Sequence, residues 1–167
     1  MPATWWRSRS PGWARCATRS CGDEAMTDLE RWAAVTGCQQ AIHGFYLALD
    51  GGDFDAVAGC MAGQGVWHRQ GRMLQGPAEV RAALADRPAG RTTAHLVQNL
   101  VIDLDGPDRA TARYMTLVYR VDATAPHAGP VPLPPPLSIS LHRERLSRAP
   151  DGRWLVEEKQ GQRRFGG

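Results

Sequence analysis

The chain has 167 residues, of which 43% are hydrophobic and 22% are charged, and this composition is typical of one globular domain. No apolar run approaches the roughly 18 residues that a membrane helix needs, so we expect no membrane insertion. The net charge of +3 is small and the body of the chain has no concentrated basic face, which argues against nucleic-acid binding.

Residues 1–25 are predicted to be a disordered extension. They carry four arginines and no continuous apolar segment of the kind that a secretory signal needs, and their glycines and prolines would interrupt a helix. Met26 is followed by Thr27 and Asp28, either of which can cap a helix. We therefore expect the domain to span residues 26–167.

The four cysteines show no metal-binding pattern. No CxxC pair is present, and no histidine pair follows at ligand spacing. We expect free thiols in a reducing cytoplasm, with no metal and no other cofactor.

Three helices are predicted in the first half of the domain. Apolar residues three and four apart between residues 29 and 50 indicate a long first helix, and Gly51 and Gly52 end it. Asp53 can cap a short second helix, and Pro77 lies in the first turn of a third. A short strand is predicted over residues 66–69, between the second and third helices.

Four long strands are predicted after the helices, over residues 95–104, 109–121, 137–146 and 154–165. Residues 123–136 contain six prolines and cannot form a central strand, so we expect a loop there. Helices that precede an antiparallel sheet and pack on one side of it indicate an α+β fold.

Six segments carry a family resemblance by their order and spacing. They are FYLALDGGDFD (45–55), VW (66–67), GPAEV (76–80), TAHLVQN (93–99), DGPDRATA (105–112) and DGRW (151–154). Over about residues 27–165 the chain resembles the SnoaL-like branch of the NTF2-like superfamily, which includes scytalone dehydratase-like and ketosteroid isomerase-like proteins. The resemblance implies a cone of three N-terminal helices packed in a strongly curved mixed or antiparallel sheet, around a hydrophobic pocket.

The resemblance also implies a candidate acid–base pair, Asp50 at the end of the first helix and His95 on the first long strand. A carboxylate that accepts a proton from one imidazole nitrogen fixes the tautomer, and the other nitrogen can then act as a base or an acid. Two alternatives remain open, because Asp50 could cap the next turn and His95 could be a hydrogen-bonded core residue. Leu49 stands where the dehydratases have a tyrosine, so we do not expect a faithful scytalone dehydratase.

Five further residues are candidates for substrate binding: Tyr46, Trp67, Asn99, Tyr114 and Tyr119. Asn99 could donate to a substrate oxygen or could satisfy a backbone group at a bulge.

Two other groups are given structural roles. The large aromatic residues are predicted to be core or pocket wall, namely Trp32, Phe45, Trp67 and Trp154. His142 and Glu144 share a strand face, and we expect an exposed polar pair rather than a metal site.

Two functions follow from the resemblance, because fold alone does not determine the reaction. The first is a cofactor-independent lyase, isomerase or cyclase acting on a small apolar carbonyl compound. The alternative is a non-catalytic module that binds small molecules or supports an oxygenase as a small subunit. A homodimer is expected in either case, since Leu137, Ile139 and Leu141 alternate with serines and would leave an apolar sheet face uncovered.

Overall fold

The three predicted helices form, and their ends are set by local capping. In the computed structural model, which describes residues 26–166, α1 spans Asp28–Gly51, α2 spans Phe54–Gly59 and α3 spans Gly76–Ala85. Thr27 and Glu30 form a capping box at the start of α1. Gly52, at φ 77°, caps its end in the left-handed conformation that glycine adopts without a Cβ clash. The predicted extension over residues 1–25 lies outside the described residues and stays a prediction.

Within residues 26–166, six strands form one curved mixed sheet in the order β2-β1-β6-β5-β4-β3. Their bounds are β1 Met61–Arg69, β2 Arg72–Gln75, β3 Arg91–Leu104, β4 Arg109–Asp122, β5 Ser138–Arg148 and β6 Trp154–Gly166. Neighbouring strands are antiparallel except β1 and β6, which are parallel. The α+β cone predicted from the sequence is therefore confirmed, and the proline-rich segment is the loop between β4 and β5.

Two strand predictions were incomplete. β1 begins at Met61, ahead of the predicted start at residue 66, and it pairs there with Val156 of β6. That pairing joins residues far apart in sequence, so no local signal reports it. The edge strand β2 was not predicted. Gln70 and Gly71, both at positive φ, form the tight turn of the β1–β2 hairpin.

The sheet has two distinct faces. The inner face packs on α1 and carries buried residues from β4, β5 and β6, namely Ala110, Ala112, Tyr114, Leu146, Trp154 and Val156. The outer face carries the alternate residues of the same strands.

Trp32 is not part of the core, contrary to prediction, since it is 71% exposed. The buried stripe of α1 runs through Ala34, Cys38, Ile42 and Phe45, and Trp32 falls on the opposite side of the helix.

Within residues 26–166, no helix is both long and apolar enough to cross a bilayer.

Candidate active site

Asp50 and His95 lie in direct contact where α1 ends and β3 begins. The Nδ1 atom of His95 is 2.6 Å from Oδ1 of Asp50, and the backbone N–H of His95 donates to Oδ2 at 2.7 Å. The carboxylate is thus bound to both the side chain and the backbone of one residue, which fixes the imidazole relative to α1.

Asp50 is free for this contact because another residue caps the next helix. The side chain of Asp53 accepts from the backbone N–H of Ala56 at 2.9 Å and caps α2. The hydroxyl of Thr93 donates to Oδ1 of Asp50 at 2.6 Å. Arg87 donates in turn to the Thr93 hydroxyl at 2.7 Å and to the carbonyl of Leu49 at 3.0 Å, so a second layer of contacts holds the carboxylate in place.

The hydrogen bonds determine the charge and the tautomer of the pair. Burial alone would raise the pKa of Asp50, but the hydrogen bonds from His95 and Thr93 outweigh it and hold that pKa below its usual range. An ionised carboxylate only accepts, so in the neutral form of His95 the ring proton is on Nδ1. Within residues 26–166, Nε2 of His95 has no hydrogen-bond partner and is not buried. The arrangement presents Nε2 as a base.

A buried polar cluster lies beside the pair. It consists of Tyr46, Tyr114, Glu144 and Lys159, and we call it the inner cluster. Lys159 Nζ donates to the hydroxyls of Tyr46 at 2.9 Å and Tyr114 at 2.6 Å, and it forms an ion pair with Glu144. The ring of Tyr46 stacks on His95 with centroids 5.2 Å apart, so the inner cluster forms the support on which the imidazole rests.

Lys159 is a buried ammonium rather than a nucleophilic amine. Burial lowers its pKa, but the charge of Glu144 and the phenol of Tyr46 outweigh burial and raise it above the usual range. Burial also raises the pKa of Tyr46, and that of Tyr114 well above the usual value, so both phenols are neutral at physiological pH. The inner cluster therefore stabilises the fold and does not supply a reactive group.

His142 is a second buried histidine, and it stays neutral. Its ring stacks on Tyr114 with centroids 5.0 Å apart, and its Nε2 lies 2.9 Å from the Thr116 hydroxyl. Burial, followed by the charges of Lys159 and His95, lowers its pKa to about 2. Gly161 leaves room for the ring, because a Cβ there would lie 2.7 Å from Cε1 of His142.

The prediction that His142 and Glu144 form an exposed polar pair was wrong. The register places them opposite Gly161 and Lys159 on the inner face. A β-bulge between Arg145 and Leu146 shifts this register, so that Lys159 rather than Glu158 points inward. Simple alternation along β6 would have selected Glu158, so the sequence contains no clear signal for the inner cluster.

The fold brings only some of the five residues predicted to bind substrate close to the Asp50–His95 pair. Tyr46 lies against His95, and Tyr114 lies one residue further away. Trp67 packs on Phe45 in the core, with ring centroids 5.2 Å apart. Asn99 is exposed at φ 54°, at the bulge in β3. Tyr119 pairs with Ala94, next to the His95 pair, and therefore faces the outer side, which removes it from this site.

We expected a pocket around the Asp50–His95 pair, but the larger cavity lies elsewhere. Of the two cavities described, the larger measures about 340 Å³ and lies on the outer face. Its walls include Leu96 and Tyr119 of the sheet and Leu133 of the proline-rich loop, and neither Asp50 nor His95 lines it. The interior of the cone is filled instead by the inner cluster and by Phe45 and Trp67. The side chains of His95 and Asp50 remain 16% and 21% exposed.

Sequence comparison gives one family match. A model of the SnoaL-like domain matches residues 30–160. Among curated proteins, none matches the sequence significantly.

Several solved structures are similar to the chain. A variant of Rv3472, a Mycobacterium tuberculosis protein of unknown function, shares 22% identity over 84% of this chain and 78% of its own, with a TM-score of 0.69. A Catenulispora acidiphila protein in complex with S-DNPA shares 25% identity over 79% and 94%, with a TM-score of 0.62. The hexachlorocyclohexane dehydrochlorinase LinA-type3 of Novosphingobium barchaimii shares 14% over 84% and 93%, with a TM-score of 0.68.

Proposed function

This chain belongs to the SnoaL-like domain family, and we propose that it is an enzyme that moves protons with the Asp50–His95 pair. The reaction is a cofactor-independent elimination, isomerisation or ring closure on a small, largely apolar compound with a carbonyl group. One observation carries the proposal: the 2.6 Å contact that holds Nδ1 of His95 leaves its Nε2 free.

The chemistry follows from the position of the proton on His95. Nε2 accepts a proton from the carbon beside the carbonyl, and the electron pair of that C–H bond moves into an enolate. Asp50 stabilises the imidazolium that forms. The proton on Nε2 can then pass to a leaving hydroxyl, which completes an elimination, or return to another carbon, which completes an isomerisation.

The relatives support this class of reaction. The structural neighbour from Novosphingobium barchaimii is a dehydrochlorinase, so the same fold supports an elimination. The Catenulispora acidiphila protein was solved in complex with S-DNPA. We infer from it that the present chain also accepts a small organic ligand.

A non-catalytic binding or assembly module is the second candidate. One observation favours it: the cavity of about 340 Å³ lies on the outer face, away from His95. A binding module would use that cavity and would not need a free Nε2.

Proton exchange distinguishes the two candidates without knowledge of the natural substrate. 2-Tetralone is a small apolar ketone with acidic C–H bonds, and its exchange in D₂O is followed by proton NMR. We expect the protein to accelerate the exchange, and His95→Ala or Asp50→Asn each to lower the rate by about a hundredfold or more. His43→Ala is the matched control, because His43 is an exposed histidine on α1. Equal rates for wild type and His95→Ala would reject the enzyme and favour the binding module.

We also propose a homodimer that forms through the outer face. The register puts Ile139 and Leu141 on that face, while Ser138 and Ser140 face inward. Leu96 on β3 extends the same apolar surface and is 42% exposed. A second copy packed there would remove this surface from water.

A further inference from the structure

An arginine that has no acidic partner within the described part of the chain lies at the end of β1. Arg69 is the last residue of that strand and is partly buried. Its guanidinium carbon lies 5.3 Å from the centroid of the Trp67 ring, on the inner side of the sheet. None of the ion pairs within residues 26–166 includes Arg69. A charge that is partly removed from water is unfavourable unless a counter-ion pairs with it.

Other arginines surround this group. Arg72 is the direct register partner of Arg69 in the hairpin. Burial, and then the charges of Arg87, Arg91 and Arg72, lower the pKa of Arg69. The guanidinium of Arg69 therefore lies in a local excess of positive charge.

The nearby carboxylates are already bound by other groups. Asp122 accepts from Arg91 at 2.5 Å and from Arg120 at 2.8 Å. Asp50 accepts from His95 and Thr93. Neither aspartate is available to Arg69, so a counter-ion would have to come from outside the described residues.

The register places Arg69 at the same end of the sheet as the Asp50–His95 pair. β1 runs parallel to β6, and β6 is linked through β5 and β4 to β3, so the end of β1 and the start of β3 lie at the same end of the sheet. Arg87, whose charge helps to lower the pKa of Arg69, bonds to Thr93, which bonds to Asp50. Arg87 is held by these bonds, whereas Arg69 has no ion-pair partner within residues 26–166 and can bind a ligand.

We propose that Arg69 binds the anionic group of the ligand, and that this ligand is a small carboxylate with an apolar ring system. This rests on the proposed function, since the carboxylate would orient the ligand so that its reacting carbon faces Nε2 of His95. A guanidinium matches the two oxygens of a carboxylate with parallel N–H groups. The buried Trp67 ring holds the guanidinium from below, and the apolar ring system follows from the largely apolar compound of the proposed function.

Two probes of the same shape test the proposal. 2-Naphthoate and 2-naphthamide differ in charge, and their affinities are measured by isothermal titration calorimetry. We expect wild type to bind the carboxylate about tenfold more tightly than the amide or better. Arg69→Gln should remove that preference and leave the amide affinity unchanged. Arg69→Lys keeps the charge but loses the paired N–H groups, so it should retain part of the preference and should fold if Arg69→Gln does not.

Arg153→Gln is the matched control and should behave as wild type. Arg153 precedes β6 at the opposite end of the sheet, where it pairs with Asp151 at 2.7 Å. Equal affinities for the two probes, no binding of either probe, or an unchanged preference in Arg69→Gln would each overturn the proposal. His95→Ala should bind naphthoate as wild type does. A charge preference without catalysed exchange would therefore reject the enzyme alone, and catalysed exchange without a charge preference would reject the role of Arg69 alone.

Discussion

Three residues at the end of α1 have separate tasks. Gly52 ends the helix at φ 77°, Asp53 caps the helix that follows, and Asp50 accepts from His95. The sequence left open whether Asp50 caps the next turn, because aspartates at glycine-rich corners often do so. The structure gives that role to Asp53, so the Asp50 carboxylate is available for the imidazole.

His142 should make stability depend on pH. Its pKa is lowered to about 2 in the fold, whereas an unfolded histidine titrates near 6.5. Between these values only the unfolded chain binds the proton, so stability that is present above pH 6.5 is lost as the pH falls. We expect this residue to account for about 2 kcal/mol of the unfolding free energy lost between pH 7 and pH 5.

Urea unfolding of His142→Gln at the two pH values measures this contribution. The variant should lose less stability on acidification than wild type, and His43→Ala, which replaces an exposed histidine, should lose as much. An identical loss in His142→Gln and wild type would show that His142 is not buried in its neutral form.

At the level of elements, two β-bulges decide which polar side chains face inward. The irregularity between β5 and β6 turns Lys159 to the inner face, opposite Glu144. The bulge in β3 places Asn99 at positive φ and on the surface. The alternation of side chains along a strand is predicted from local sequence only. A bulge reverses which side chains face inward, and no clear local signal predicts it. The helices, the four long strands and the proline-rich loop were predictable for the opposite reason, since their signals are local.

Removing one member of the Glu144–Lys159 ion pair should destabilise the protein more than replacing both members. Lys159→Met leaves Glu144 buried without its partner, and we expect it to lower the free energy of unfolding by about 3–5 kcal/mol. The double variant Lys159→Met with Glu144→Leu replaces the ion pair by apolar groups and should recover most of that loss. Urea unfolding of the two variants measures the difference. A double variant as unstable as Lys159→Met alone would contradict the view that the unpaired charge is the cause.

For the whole molecule, the order of segments along the chain was enough to predict the family and the cone fold. The Asp50–His95 pair was a candidate from that resemblance, and the structure adds its geometry. Arg69 and the inner cluster were not predicted, because their environment depends on pairing between β1, β5 and β6, which are far apart in sequence. The outer cavity was missed for a similar reason, since the proline-rich loop forms one of its walls.

The proposed dimer is also a property of the whole molecule. We expect sedimentation to show a dimer at micromolar concentration, and Leu96→Glu to shift it to monomer, because a charge in the apolar outer face would have to be buried. Leu47→Glu is the control, since Leu47 is an equally apolar exposed residue on α1 rather than on the sheet. A wild-type protein that sediments as a monomer would rule out the dimer.

The tautomer of His95 tests the central claim most directly. At a pH where His95 is neutral, nitrogen-15 NMR of the labelled protein shows which ring nitrogen carries the proton. The contact with Asp50 predicts the proton on Nδ1 and a bare Nε2, and Asp50→Asn should lose this bias. A proton on Nε2 in the wild-type protein would mean that the nitrogen facing the substrate is not a base, and would contradict the proposed mechanism.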